Sequence, residues 1–307
     1  MGMQNSFKSS DKATQLVLGT ANFGNKYGIA NATDVEPLVD FKKAKEILLR
    51  ADSLGVRIFD TASSYGEAEK WLGEVSEKLE IEIWTKILVP TQTTLKREEI
   101  GSLLKKSIDH FHGEKLTCIQ IHNWTPNLFY GHESSEFIDI MRTFWGGKIG
   151  ASTYGSASAL QALDLFDMVH FEFNLLNQKT YRNLFARVQR ERDNLGCLTA
   201  RSIYLQGLLF RDLQTIPLKL KSLSDPIIEI HKLAKEFQMS PQELIVRGTL
   251  SMPGLNFIVV GVDSISQLEE TVHYFNLGVL ADEIVNEIYK LDNSANPMVD
   301  PRNWNNS

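Results

Sequence analysis

Cysteine is scarce in this sequence. Two, Cys118 and Cys197, occur among 307 residues, each beside apolar neighbours in a strand-like run. So few thiols exclude a disulfide scaffold and suit a reducing compartment, so a cytoplasmic location is expected. Neither has His or Cys neighbours at metal-ligand spacing, and no metal is expected. Basic charge is also short: 32 Lys and Arg face 38 Asp and Glu, a formal net charge of −6. No basic block interrupts that balance, which argues against a nucleic acid or an anionic membrane as partner. No stretch approaches the ~20 apolar residues of a transmembrane helix. The segment 1–12 is polar and lacks the apolar centre of a signal peptide. Finally, no GxGxxG follows a strand, which argues against the usual doubly wound dinucleotide fold.

What is present is alternation. Short apolar runs at 15–18, 56–59, 81–85, 116–121, 148–151, 168–173, 197–201 and 257–260 read as eight strands. Helical patterns fall between them, at 40–54, 68–79, 96–111, 137–145, 184–195, 225–237 and 240–251. The first is the strongest, with Phe41, Ala44, Ile47, Leu48, Ala51 and Leu54 on one face and Gly55 as its stop. Another helix starts near Ser264 or Ser266, each fitting a capping box, and a last one covers 281–291. The connection 210–224 is long enough to expect a lid. The tail from Asp292 is polar and is expected to pack over the rim or to fray. No repeat or linker divides the chain. The expected architecture is α/β: a single (β/α)8 TIM barrel, one domain over 1–307.

In such a barrel the loops after the strands build the active-site face. The second strand ends in Asp60, and Tyr65 follows in the loop before a glycine turn. The third ends at Lys86 and the fourth at His122. A carbonyl that accepts hydride develops charge on oxygen and then needs a proton. A phenol, titrating near ~10, stays protonated at neutral pH and can give it. An adjacent ammonium favours the phenolate left behind. Lys86 can supply that charge, Asp60 can hold Lys86, and His122 can orient the carbonyl oxygen.

With these four residues in this order, and with Asp60-Thr61-Ala62-x-x-Tyr65-Gly66, the sequence resembles the aldo-keto reductases over nearly its whole length. The segment Lys26-Tyr27-Gly28-Ile29-Ala30-Asn31 resembles a bacterial sub-group associated with cell-surface sugar pathways. The resemblance implies Tyr65 as general acid, tuned by Lys86 and Asp60, with His122 positioning the substrate. It implies NADP(H) as cofactor, with NAD(H) also open, and a small carbonyl compound, a sugar or other polar aldehyde or ketone, as substrate. Gly19 and Thr20 are then expected beneath the nicotinamide. Ser152 matches a residue that binds the carboxamide; Thr153 stands where Asn is usual and His170 where Gln is usual. His170 reads equally well as a core histidine. Arg201 replaces the usual stacking aromatic, and Ser202, Leu205, Gln206 and Gly207 match the loop over the pyrophosphate. At the adenosine end, Gly261, Gln267 and Thr271 occupy places usually held by Lys, Arg and Asn. Asp263, Ser264 and Glu270 lie in the same segment, and Asp263 adds negative charge. Tyr27 reads as a pocket wall or a surface loop aromatic, and Trp124 as a pocket wall or a cap on the rim. Two other readings stand beside this one: a redox-sensing or scaffold protein of the same fold with little catalysis, and a barrel isomerase or lyase that uses no nicotinamide.

Overall fold

A strand that is apolar on both faces needs cover on both, and closing a parallel sheet inside a ring of helices supplies it. The computed structural model describes residues 13–25, 39–90, 97–111, 115–128, 133–191 and 195–305, without the side chains of 133 and 305. Its strands are β1 (Gln15–Gly19), β2 (Ile58–Asp60), β3 (Glu82–Ile87), β4 (Leu116–Ile121), β5 (Lys148–Ser152), β6 (Met168–Glu172), β7 (Cys197–Arg201) and β8 (Phe257–Gly261). They pair in parallel, each with the next, and β8 closes on β1. The TIM barrel expected from the sequence is the observed fold.

The helices between them are α1 (Phe41–Ser53), α2 (Ala68–Ser76), α3 (Arg97–Ile108), α4 (Glu133–Phe144), α5 (Ser156–Leu165) and α6 (Lys179–Arg190). Then come α7 (Ser224–Glu236), α8 (Pro241–Leu250), α9 (Ile265–Asn276) and α10 (Asp282–Lys290). Helix α5 has no counterpart in the sequence reading. Its SASALQALDL is rich in small residues, and its buried positions are Ser158, Ala159, Ala162 and Leu163. Small residues that let α5 lie close to α6 leave little apolar contrast to read. Helix α4 begins four residues before the expected 137, and α6 begins at Lys179 where 184 was expected. Among the described residues no helix is long and apolar enough to cross a membrane.

The core has two compartments. The larger lies between strands and helices. The smaller fills the barrel with Val17, Ile58, Trp84, Cys118, Met168, Cys197, Phe257 and Val259. Inside a barrel, every second residue points to the axis. Two residues beyond this apolar floor, the same inward faces carry Gly19, Asp60, Lys86, Gln120, His170, Thr199 and Gly261. The side chains turn from apolar to polar on the way to the carboxyl ends of the strands.

The connection expected as a lid is wound into short 3-10 turns at Leu208–Phe210, Leu213–Thr215 and Leu218–Leu223. Ile216, Leu220 and Leu223 are buried there. The tail is also tied down over its described length. Trp304 is buried, donating from Nε1 to Met298 O (2.9 Å), while Lys219 Nζ donates to Trp304 O (2.5 Å). The Arg302 guanidinium lies 3.8 Å from the centre of the Tyr154 ring.

Trp84 anchors the barrel floor, edge-on to Phe257 (4.8 Å) and to His170 (5.8 Å), with no exposed surface. Trp84→Ala is expected to cost about 3–5 kcal/mol through the cavity it leaves, read as a lower urea midpoint with an unchanged slope.

Candidate active site

The loop after β2 is stitched to the end of β3. Thr61 N donates to Trp84 O (2.8 Å), and Ser63 donates to Lys86 O from both its amide (2.9 Å) and its hydroxyl (3.1 Å). Gly66 then turns the chain at φ +54°, where a Cβ would meet Asn25 Oδ1 at 2.6 Å. A side chain there would be strained by the left-handed backbone and would have to displace the Asn25 side chain, which favours glycine. These constraints hold Tyr65 beside Lys86, whose Nζ lies 5.2 Å from the centre of the phenol ring.

Lys86 and Asp60 form an ion pair in the barrel, both almost fully buried. Lys86 Nζ donates to Asp60 Oδ2 and to Thr61 O (2.9 Å), and Gln120 Nε2 donates to Asp60 Oδ1 (3.3 Å). Burial pushes the Asp60 carboxyl up and the Lys86 amine down, and each partner's charge opposes that shift. Neither ion would persist there without the other.

Burial, then the Asp60 charge, raise the Tyr65 phenol above its ordinary range, with Arg201 opposing. The sequence reading had Lys86 lowering this group. The net direction is upward, because burial and the Asp60 charge penalise phenolate more than Arg201 favours it. Tyr65 is thus protonated at neutral pH. His122 packs edge-on to Tyr65, with centroids 5.5 Å apart and an interplanar angle of 85°. Its Nδ1 lies 3.0 Å from Ser64 Oγ. Burial, with Lys86 and Arg201 nearby, lowers its pKa to about 3, so the imidazole is neutral.

A cavity of about 510 Å³ opens above these groups, within the ordinary size for a ligand site. Of the residues singled out in the sequence, its wall includes Asp60, Tyr65 and His122, and Gly19, Ser152, Arg201, Ser202, Gln206 and Gly207. It also includes Gly261, Asp263, Gln267, Glu270 and Thr271. Lys86 lies beneath it, reached through Asp60 and Tyr65.

Others fall outside the wall. Thr20 is buried, its hydroxyl donating back to Asp60 O (3.2 Å). Thr153 is buried likewise, its one O–H donated to His170 O (3.0 Å) and so not left to donate to a carboxamide. His170 is a barrel-core histidine, with both ring nitrogens buried and unbonded among the described residues. Burial, then Lys86, Arg201 and His122, lower its pKa well below the usual value. Trp124 is buried edge-on to Phe166 (4.8 Å) and does not wall the cavity, because the indole turns inward. Leu205 is buried, and Ser264 caps α9. Tyr27 lies outside the described residues.

Arg201 is not a free stacking plane. Its Nη2 donates to Thr153 O (2.8 Å), and the guanidinium lies 4.1 Å from the centre of the Tyr154 ring. Nearby, Glu172 Oε1 accepts from Thr180 Oγ1 (2.7 Å) and Gly155 N (3.0 Å). The loop beyond Arg201 carries a run of left-handed residues: Ser202 (φ 67°), Leu205 (48°), Gln206 (56°) and Gly207 (83°). Three of the four are not glycine, a strain that surrounding contacts must hold and that concentrates at functional sites.

Sequence reasoning missed Gln120, Ser64, Asn22 and Tyr154. Gln120 pairs in register with Lys86 and stands two residues before His122, so strand alternation points it inward. Ser64 adjoins Tyr65. Asn22 and Tyr154 become visible only through contacts distant in the chain.

Residues 15–293 match the model of the aldo/keto reductase family. The chain belongs to that family and is an oxidoreductase. It is similar to uncharacterized oxidoreductases of Mycobacterium tuberculosis and Mycobacterium bovis, each 25% identical over 292 residues and covering 85% of this chain and 84% of the relative. Among solved structures it resembles aldo-keto reductase AKR11C1 from Bacillus halodurans in its holo form, with a TM-score of 0.72, 18% identity, and 91% and 92% of the two chains covered. An aldo-keto reductase, MGS-M4, from a deep-sea metagenome library of the Medee basin gives a TM-score of 0.63 at 17% identity, with 91% of each chain covered. At these identities the structural likenesses bear on the fold alone.

The neutral His122 makes a testable demand. Its ring resonances are expected to stay unshifted from pH 8 to pH 5. Because its folded pKa is depressed from 6.5 to about 3, the unfolded chain takes up the proton first. The contribution to stability is complete above pH 6.5 and is lost as the pH falls towards 3. His122→Asn is expected to flatten the decline in stability between pH 7 and pH 5, measured by urea unfolding.

Proposed function

We propose that this oxidoreductase reduces a small polar aldehyde or ketone to the alcohol with a nicotinamide dinucleotide, Tyr65 acting as the general acid. The observation that carries the reading is the convergence of a protonated phenol, a buried ammonium–carboxylate pair and a neutral imidazole at one cavity.

The cavity suits such a cofactor. It continues from Tyr65 along the strained loop to the start of α9, and Tyr204, Phe210 and Tyr274 offer ring surfaces in its wall. Two buried polar atoms of its wall residues, Asn22 Oδ1 and Arg201 Nε, lack a partner among the described residues and await one. Gly19 and Ser152 would hold the nicotinamide end, and Ser202, Gln206 and Gly207 the diphosphate. A bound reduced nicotinamide would supply hydride. The remaining chemistry belongs to the chain. In the tautomer whose Nδ1 accepts from Ser64, His122 carries its proton on Nε2 and can donate to the substrate oxygen. Tyr65 gives its proton to that oxygen as charge builds. Lys86, held by Asp60, stabilises the phenolate that remains and so lowers the barrier.

Tyr65→Phe keeps the ring and removes the acid. It is expected to lower kcat by about 10²–10⁴-fold while leaving the cofactor Kd nearly unchanged, assayed with reduced dinucleotide and a panel of hydroxyaldehydes and ketones. Turnover equal to that of the parent would refute the assignment of the acid. Turnover in protein stripped of dinucleotide would refute the reductase reading.

A further inference from the structure

The far end of the cavity has its own chemistry. With the reacting groups at Tyr65 and His122, a dinucleotide must send its adenosine to the opposite end, where Asp263, Gln267, Glu270 and Thr271 form the wall. The start of a helix is ordinarily a phosphate site, because its first N–H groups lack partners. Helix α9 uses one of these donors in its own cap, and its Gln267 side chain takes the amide just ahead of the cap. Ser264 Oγ accepts from Gln267 N (3.2 Å), and Gln267 Oε1 accepts from Asp263 N (2.7 Å). The Asp263 carboxylate is fixed in turn. Asn22 Nδ2 donates to Asp263 Oδ1 (2.6 Å) and to Val262 O (2.5 Å), which braces the β8–α9 turn against the loop after β1. Two acceptors facing one amide group also fix which end of Asn22 is nitrogen. Among the described residues no Lys or Arg lies within ion-pair distance of Asp263 or Glu270. The described cations of the wall, Arg201 and Arg211, belong to β7 and the loop after it.

We infer that this end is built for an unphosphorylated ribose, and that the chain takes NADH in preference to NADPH. A carboxylate accepts hydrogen bonds from a ribose diol, whereas a 2′-phosphate calls for a guanidinium. Two carboxylates with no cation paired to them among the described residues repel a dianion. The inference rests on the proposed dinucleotide site, and binding without substrate separates the two.

Titrating the protein with NADH and with NADPH, followed by nicotinamide fluorescence and by calorimetry, is expected to give a Kd at least about tenfold lower for NADH, since like charges brought together cost several kcal/mol. Asp263→Arg is expected to reverse or abolish the preference, and Glu270→Gln to narrow it should the arginine variant fold poorly. NADPH binding as tightly as NADH to the parent protein overturns the inference and leaves the reductase reading standing. No binding of either overturns both.

Discussion

The site depends on one ion pair almost entirely withdrawn from water. Lys86 and Asp60 sit on adjacent strands inside the barrel, one layer above an apolar floor. An isolated charge there would cost several kcal/mol; together, with Gln120 and the Thr61 carbonyl as further partners, they persist. Everything above is referred to that pair. The loop carrying Tyr65 is anchored on the backbone of Lys86 itself, so the phenol is positioned by the same residue that supplies the neighbouring charge. His122 stays neutral partly because that ammonium is close.

Much of this was legible in the chain. Eight apolar runs with helical patterns between most of them gave the barrel, and barrel geometry turned strand ends into a shared face. That was enough to bring Asp60, Tyr65, Lys86 and His122 together. What escaped were features of depth and distance. Position at a strand end does not say whether a side chain reaches the cavity, and so Trp124 and His170 each read two ways in the sequence, and neither lines the wall. One places its indole against Phe166, the other its ring against Trp84. Helix α5 escaped because close packing favours small residues, which carry little periodic signal.

The two ends of the cavity divide the labour differently. At the reacting end the described cations are Lys86 and Arg201, and the charges are buried and opposed. At the α9 end the carboxylates border a turn held by side-chain hydrogen bonds. Between them the run of left-handed backbone from Ser202 to Gly207 keeps the chain in a shape ordinary residues avoid.

Tyr154 is gripped from two directions. Guanidinium groups 4.1 and 3.8 Å from its ring centre can only occupy opposite faces, one belonging to a strand tip and the other to the far end of the chain. These two cations repel each other, and the aromatic spacer between them turns that repulsion into cohesion. Beside the anchors at Trp304, that phenol joins the last described turn of the chain to the mouth of the barrel, so the carboxyl-terminal segment shares in shaping the entrance.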